Sequence, residues 1–355
     1  MKKKILITTG GSGGHVVPAK IISDHLRNEF EIILSTDRRG YKYFNSTIDQ
    51  ILIIDTPKLN INFLFPFQLI KIFFLIIKPI YFLKKKKIDK VISIGGYMSI
   101  PICLGARLLQ LKIYLLEPNL VIGRANKFFL SFAEKIICYS HELKNFPKKF
   151  NRKIKIIKPL VGKQYYEEIQ SSKLKKKFTF LVVGGSQGAN IFDDKIKEAI
   201  VNLSKTHSIK IIQQTSLENC DNLKKFYSKN KVDNIIFSFE KNFINLIRES
   251  DLCITRAGAT TLAELSVLNI PFLAVPLPSA KDNHQYENAN FYKKLDCCWI
   301  LDQQSLDEES ILKILCEILE NKSNYFRKKE NLKKLHYQNS WISVNQKLLE
   351  IINEN

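Results

Sequence analysis

Short apolar runs recur along this chain, each bounded by charged residues, glycine or proline and followed by a longer helical stretch. In the first half they fall at 4–9, 31–36, 50–55, 90–93, 112–116 and 135–138. In the second half they fall at 178–183, 209–213, 234–238, 252–255, 271–275 and 298–300. Their length and composition predict strands, and the segments between them are long enough for crossover helices. Strands alternating with helices imply an α/β architecture built on doubly wound parallel sheets. Between the two series, 153–177 shows no clear periodicity and closes on Ser171-Ser172-Lys173-Leu174-Lys175-Lys176-Lys177, a solvated stretch that marks a boundary. The expected domains are 1–160 and 161–335. A last helix at about 341–352 carries Ile342, Val344, Leu348, Leu349 and Ile352 at spacings able to dock on a neighbouring surface.

Two glycine-rich turns of one design follow the first strand of each series: Gly10-Gly11-Ser12-Gly13-Gly14-His15 and Gly184-Gly185-Ser186-Gln187-Gly188-Ala189. A glycine turn between strand and helix lets backbone N–H groups and the positive end of the helix dipole approach an anion, usually phosphate. Two such units facing one another would make a cleft suited to a diphosphate-linked substrate, at the carboxyl ends of the strands. Neither turn is a common nucleotide fingerprint. No Gly-x-x-x-x-Gly-Lys-Ser/Thr run exists, and Gly-x-Gly-x-x-Gly counted from Gly11 meets Val16 in its last place. Asp37 ends the second strand, where a ribose-binding acid could sit, but Arg38-Arg39 follow it and it reads better as a strand-end charge.

Length and charge refine this picture. The 355 residues, 45% hydrophobic, suffice for two or three domains with ample cores. Met1-Lys2-Lys3-Lys4 leads into a short strand rather than the apolar region of a signal peptide. Seven cysteines without metal-type spacing argue against a disulfide framework or a zinc site, and for a reducing cytosol. The net charge is +21, and residues 1–163 hold 29 basic against 10 acidic residues, the remainder 26 against 24. Composition bias alone would spread the excess evenly, so the first half is expected to meet an anionic surface or substrate.

An apolar stretch at 61–83 supplies a candidate surface. It is interrupted by Lys71 and Lys78, bracketed by Pro66 and Pro79, and followed by Lys84-Lys85-Lys86-Lys87. A transmembrane helix needs roughly 20 apolar residues largely free of charge. Two lysines seven apart share one helical face, which suits a helix lying in a membrane interface with its lysines snorkelling. An ordinary buried helix and a true span are the alternatives.

Polar residues cluster at further strand ends. Gly95-Gly96-Tyr97 closes the fourth strand and Glu117-Pro118-Asn119 the fifth, with Arg124 and Asn126 following. In the second half, Arg256-Ala257-Gly258-Ala259-Thr260-Thr261-Leu262-Ala263-Glu264 reads as turn then helix, with N-terminal N–H groups suited to phosphate and Glu264 able to accept from a ribose diol. A favourable first-turn acid is the competing reading of Glu264. His284-Gln285 and Asn288 add amides suited to sugar hydroxyls. His15 opens the helix after the first turn, where an imidazole tends to stay neutral and can act as a base; a loop-bracing histidine is the alternative.

In this order, these residues resemble the MurG family of peripheral membrane glycosyltransferases. The resemblance rests on Gly10 to His15 with Pro18, Gly95-Gly96-Tyr97, Glu117-x-Asn119 with Asn126, Gly184 to Ala189, Arg256-x-Gly258-Ala259 through Glu264, and His284-Gln285 with Asn288-Ala289. It implies a GT-B fold of two Rossmann-like domains facing across a cleft, with the tail from about 336 returning to the first. It implies an inverting transfer of N-acetylglucosamine from UDP-N-acetylglucosamine to the muramoyl 4-hydroxyl of undecaprenyl-diphospho-muramoyl-pentapeptide (lipid I), giving lipid II for peptidoglycan. By motif position, Ser186, Ala259, Thr260, Thr261, Leu262, Ala263 and Glu264 would hold the nucleotide, with Glu264 on the ribose. Gln285 would meet the sugar, and Ser12, Gly13, Gly14 and Asn119 would reach the donor from the first domain. Tyr97 and Asn126 fall on the acceptor side, with His15 or Glu117 helping to deprotonate the hydroxyl. No metal or other cofactor is implied, since no Asp-x-Asp motif occurs. The implied location is the cytoplasmic face of the bacterial inner membrane, on anionic lipid.

The chain departs from the family pattern in places. Ile157-Lys158-Pro159-Leu160-Val161-Gly162-Lys163 stands where the family has Gly-Asn-Pro-Val-Arg, leaving Lys158 or Lys163 as stand-ins for the arginine with poorer geometry. Gln213-Gln214 replaces His-Gln, and Phe239-Glu240-Lys241-Asn242-Phe243 replaces Phe-Ile-Asp-Asp-Met. Three other readings compete: a GT-B enzyme with a different nucleotide sugar or lipid acceptor, a basic nucleic-acid-binding protein, and a dehydrogenase. The second lacks interleaved aromatics or a recognition helix, so no nucleic-acid partner is expected; the broken dinucleotide loop disfavours the third.

Overall fold

The computed structural model describes residues 2–44, 50–56, 65–167, 177–185 and 190–354, with backbone alone for 65–73. The chain splits into two compact units: Met1–Leu160 with Asn339–Asn355, and Val161–Gln338.

The first unit carries β1 (Lys4–Thr8), β2 (Glu31–Thr36), β3 (Gln50–Ile53), β4 (Lys90–Ser93), β5 (Lys112–Glu117), β6 (Ala133–Cys138) and β7 (Ile154–Ile156). They form one parallel sheet in the order 3-2-1-4-5-6-7. The second unit carries β8 (Phe178–Val183), β9 (Ile209–Gln214), β10 (Asp233–Phe237), β11 (Leu252–Thr255), β12 (Phe272–Ala274) and β13 (Cys298–Ile300), parallel in the order 10-9-8-11-12-13. Both sheets reverse direction of winding after their third strand, which places the switch points between β1 and β4 and between β8 and β11. In open α/β sheets that switch point is where ligands bind.

Each sheet is buried on both faces, which is why its strands read as apolar runs. Along β1, Ile5 and Ile7 join a core with the Gly13–Leu26 helix, while Leu6 joins a core on the other face with Ile102, Cys103 and Ala106. Along β8, Phe180 and Val182 face one core and Leu181 and Val183 the other, the two-residue period of a strand.

The final helix, Trp341–Asn353, packs into the first unit. Val344, Leu348, Ile351 and Ile352 share its buried stripe with the Gly13–Leu26 helix, and Trp341 stacks on His25 at 3.5 Å between ring centroids. Its end is tied to the sheet: Tyr114 donates to the Ile352 carbonyl at 3.1 Å, and Lys135 and Lys155 bridge Glu354 at 3.0 and 2.8 Å. Ile342, expected to dock, is two-thirds exposed because it lies off that stripe.

Two further expectations are revised. Pro79 does not end the apolar stretch but lies inside a 22-residue helix, Phe65–Lys86; residues 61–64 fall outside those described. Strand β7 occupies part of the segment read as aperiodic, pairing with β6 through Ile154 and Ile156.

Candidate active site

In the first unit, Thr8 of β1 lies opposite Ser93 of β4, so the turns that follow emerge side by side at the switch point. Gly10 donates its N–H to the Gly95 carbonyl at 3.0 Å. Gly95 and Gly96 both take positive φ, and a Cβ on Gly96 would come within 2.8 Å of the Gly10 Cα. Only glycine permits this approach at Gly96, and the positive φ calls for glycine at Gly95 as well. The His15 ring closes the group: its Cδ2 lies 3.1 Å from a Cβ built on Gly10 and 3.3 Å from one on Gly96. Beneath the turn, Asp37 caps the short Arg38–Tyr41 helix by accepting from Gly40 N at 2.9 Å and pairs with Arg39 at 2.7 Å. That is the role of a strand-end charge.

Ser12 is the N-cap of the Gly13–Leu26 helix, and its hydroxyl makes no capping bond. Gly13 is buried and Gly14 exposed, with nothing within 4 Å of a Cβ on Gly14. The first-turn N–H groups of such a helix lack intrahelical partners and suit an anion.

Glu117 ends β5 and is 2% exposed. Its Oε1 accepts from Asn119 N and Nδ2 at 3.3 and 3.2 Å, and its Oε2 from Gly123 N at 2.8 Å and Asn126 Nδ2 at 3.1 Å. Asn126 also donates to Leu116 O at 2.9 Å and accepts from Ser93, whose oxygen takes the Gly95 N–H. Burial pushes the Glu117 carboxyl up, against these four bonds. Glu117, Asn119, Asn126 and the β4 turn thus form one hydrogen-bonded assembly. Tyr97, half-buried, lies in the same turn.

In the second unit, Val183 of β8 lies opposite Thr255 of β11 at the corresponding switch point. Gly185 has positive φ with open space where a Cβ would go; Ser186 and the rest of its turn fall outside the described residues. The helix Asn190–Lys195 follows. Its buried Asp193 accepts from Gln213 and Asn219 at 2.9 Å each and from Thr215, and Tyr227 donates to Gln213 at 2.8 Å. This network ties the helix after the second turn to the end of β9.

The Ala259–Val267 helix starts at the β11 end with Gly258 as its N-cap. Ala259, Thr260 and Thr261 are partly exposed in its first turn, whereas the side chains of Leu262 and Ala263 belong to the core. Leu262 N–H is bonded to Gly258 O at 3.0 Å, the first bond of the helix ladder. Glu264 keeps some exposed surface, yet burial pushes its carboxyl up to about 7, opposed by a hydrogen bond from Tyr165. Arg256 faces inward: it donates to Val275 O at 3.0 Å and covers the Phe192 ring at 5.0 Å, and burial lowers its pKa. Gln285 opens the His284–Lys294 helix and accepts from Leu277 N at 2.9 Å, which fixes its amide group with the N–H pair left to donate.

Sequence reading missed Tyr165 and Asp193. Their partners lie far off in the chain, and neither sits in a glycine turn. The mismatch at Gln213-Gln214 was the one trace of the Asp193 network.

Solved structures share this architecture. The crystal structure of Acinetobacter baumannii MurG superimposes with a TM-score of 0.78 at 23% identity, covering 99% of each chain. A UDP-glucosyltransferase from Polygonum tinctorium does so at 0.74 and 10%, covering all of both. Together with the two parallel sheets, these likenesses define the GT-B fold. The models of the glycosyltransferase family 28 N-terminal and C-terminal domains match residues 5–138 and 179–340. A UDP-N-acetylglucosamine–N-acetylmuramyl-(pentapeptide) pyrophosphoryl-undecaprenol N-acetylglucosamine transferase of Pelagibacter ubique is 48% identical over the whole of both chains. The transferase of the same name from Rickettsia felis is 34% identical over 90% of this chain and 91% of its own. The chain belongs to glycosyltransferase family 28 and, within it, to the MurG family.

Proposed function

We propose that this enzyme transfers N-acetylglucosamine from UDP-N-acetylglucosamine to the muramoyl 4-hydroxyl of lipid I, forming lipid II. The observation that carries the reading is 48% identity, end to end, to a transferase named for that reaction. The donor would bind the second unit. The N-terminus of the Ala259–Val267 helix faces a diphosphate with unpaired N–H groups, Glu264 takes the ribose, and Gln285 donates to the sugar. By motif position Ser186 would join them, and in the first unit the Ser12–Gly14 helix start offers its own anion-binding N–H groups. Fixed N–H dipoles stabilise negative charge as it develops on departing UDP.

The acceptor would bind the first unit, near Tyr97 and the paired turns. Of the two candidate bases, the hydrogen bonds of Glu117 favour a bracing role, since all four tie it to the loop and the short helix that follow β5. His15 then removes the hydroxyl proton as the oxygen attacks the anomeric carbon on the face opposite UDP, which inverts that centre. The transfer is expected to need no metal, and loss of activity on EDTA treatment restored by Mg²⁺ would contradict this.

The lysine-rich first unit would rest on the anionic cytoplasmic leaflet. The Phe65–Lys86 helix exposes Phe74, Ile77 and Tyr81 beside Lys78, Lys84 and Lys85, and the neighbouring elements expose Leu108, Phe128 and Phe132. Among the described residues no helix is long and apolar enough to cross a membrane. Each Lys near an anionic leaflet contributes about 1 kcal/mol, so this stripe suffices for reversible docking. The test of the reaction is incubation of the purified chain with labelled UDP-N-acetylglucosamine and either a lipid I analogue or a simple glycolipid. Label should pass to the lipid I analogue; transfer to the simple glycolipid instead would favour a different GT-B activity.

A further inference from the structure

We infer that Tyr165 is a positioning residue for the donor ribose: its phenol, seated by Arg248, holds the Glu264 carboxylate in the orientation that receives the ribose diol. The inference rests on the reading that Glu264 takes the ribose.

Tyr165 lies in a single short helix, Lys163–Tyr166, that opens the second unit. Its ring is 7% exposed, packed in one core with Val161, Leu262, Ala263 and Leu265, all from the segment or from the helix that carries Glu264. Arg248, on the Phe243–Glu249 helix, donates from Nη2 to Gln164 O at 2.9 Å and Glu167 O at 2.7 Å. Those two carbonyls flank the tyrosine, so the guanidinium clamps the backbone on either side of it. The phenol in turn hydrogen-bonds the Glu264 side chain. Burial and the carboxylate push the phenol far above its ordinary pKa, so it remains a donor.

A carboxylate accepts at two oxygens, and one bond from a phenol leaves it able to accept from vicinal hydroxyls. The phenol also favours the ionised carboxylate, the form that accepts from a diol, against the burial that raises its pKa. Arg248 is the cation that acts on the phenol. Core packing alone would be satisfied by a phenylalanine ring; only the positioning role uses the hydroxyl.

The test is titration of the full chain with UDP and with 2′,3′-dideoxy-UDP, for wild type, Tyr165→Phe and Glu264→Gln. Wild type should prefer UDP. Tyr165→Phe should weaken UDP by about tenfold, the worth of one hydrogen bond to a charged group, and leave dideoxy-UDP unchanged. The fall in UDP affinity on acidification should begin at a higher pH in the variant. An equal loss for both ligands, or no loss, would overturn the inference. If Glu264→Gln narrows the preference for UDP while Tyr165→Phe does not, only this inference fails. If Glu264→Gln also leaves the preference intact, the ribose reading of Glu264 falls with it.

Discussion

Glu117 and His25 show how much a single side chain's surroundings decide. Glu117 accepts four N–H bonds in a dry site, so its amide counterpart is no conservative change. In Glu117→Gln one side of the group would present N–H to the N–H of Gly123 or Asn126. Each unmatched buried donor costs about 1–3 kcal/mol, and the melting temperature should drop by several degrees along with activity. Activity lost at an unchanged melting temperature would instead make Glu117 the base. His25 is buried against Trp341, and burial lowers its pKa from 6.5 to about 4. Its neutral form is the one the fold accepts. The unfolded chain takes up the proton below 6.5 and the folded chain only near 4, so stability present above pH 6.5 is lost as pH falls between those values. The linked loss is about 3 kcal/mol by pH 4. Chemical denaturation of wild type and His25→Phe across this range should show the acid-side fall reduced in the variant. Equal slopes would remove His25 from the explanation.

At the scale of elements, the strands were legible because sheets buried on both faces need unbroken apolar runs, and β2, β4, β8, β11 and β13 have the ends the pattern implies. Strand β7 was not, since three residues at a sheet edge carry too little periodicity. The glycine turns were legible because close approach and positive φ demand glycine at Gly95, Gly96 and Gly185. Tyr165 and Asp193 were invisible because their roles depend on partners brought in by folding, 99 and 20 to 26 residues away. The last helix was found by its spacing, although its buried stripe includes Ile351 rather than Ile342. Leu348 is fully buried there, so Leu348→Ala should destabilise the first unit by about 2–5 kcal/mol. Thermal melts would check it; a shift under a degree would mean the helix is not part of that unit's core.

For the molecule as a whole, the charge excess on residues 1–163 and the exposed Phe74, Ile77 and Tyr81 lead to one expectation. The full chain should bind vesicles containing anionic lipid, release them as salt rises, and ignore neutral vesicles. Phe74→Glu with Tyr81→Glu should weaken binding at least tenfold; unaltered binding would place docking elsewhere. The central claim is a division of labour, with the first unit activating the acceptor hydroxyl and the second holding the donor. His15→Ala tests it most directly, by comparing turnover of UDP-N-acetylglucosamine and a lipid I analogue with UDP affinity in the same variant. Loss of a general base should lower kcat by about 10²–10⁴ while UDP affinity stays as in wild type. Wild-type turnover, or a parallel collapse of UDP affinity, would contradict that division.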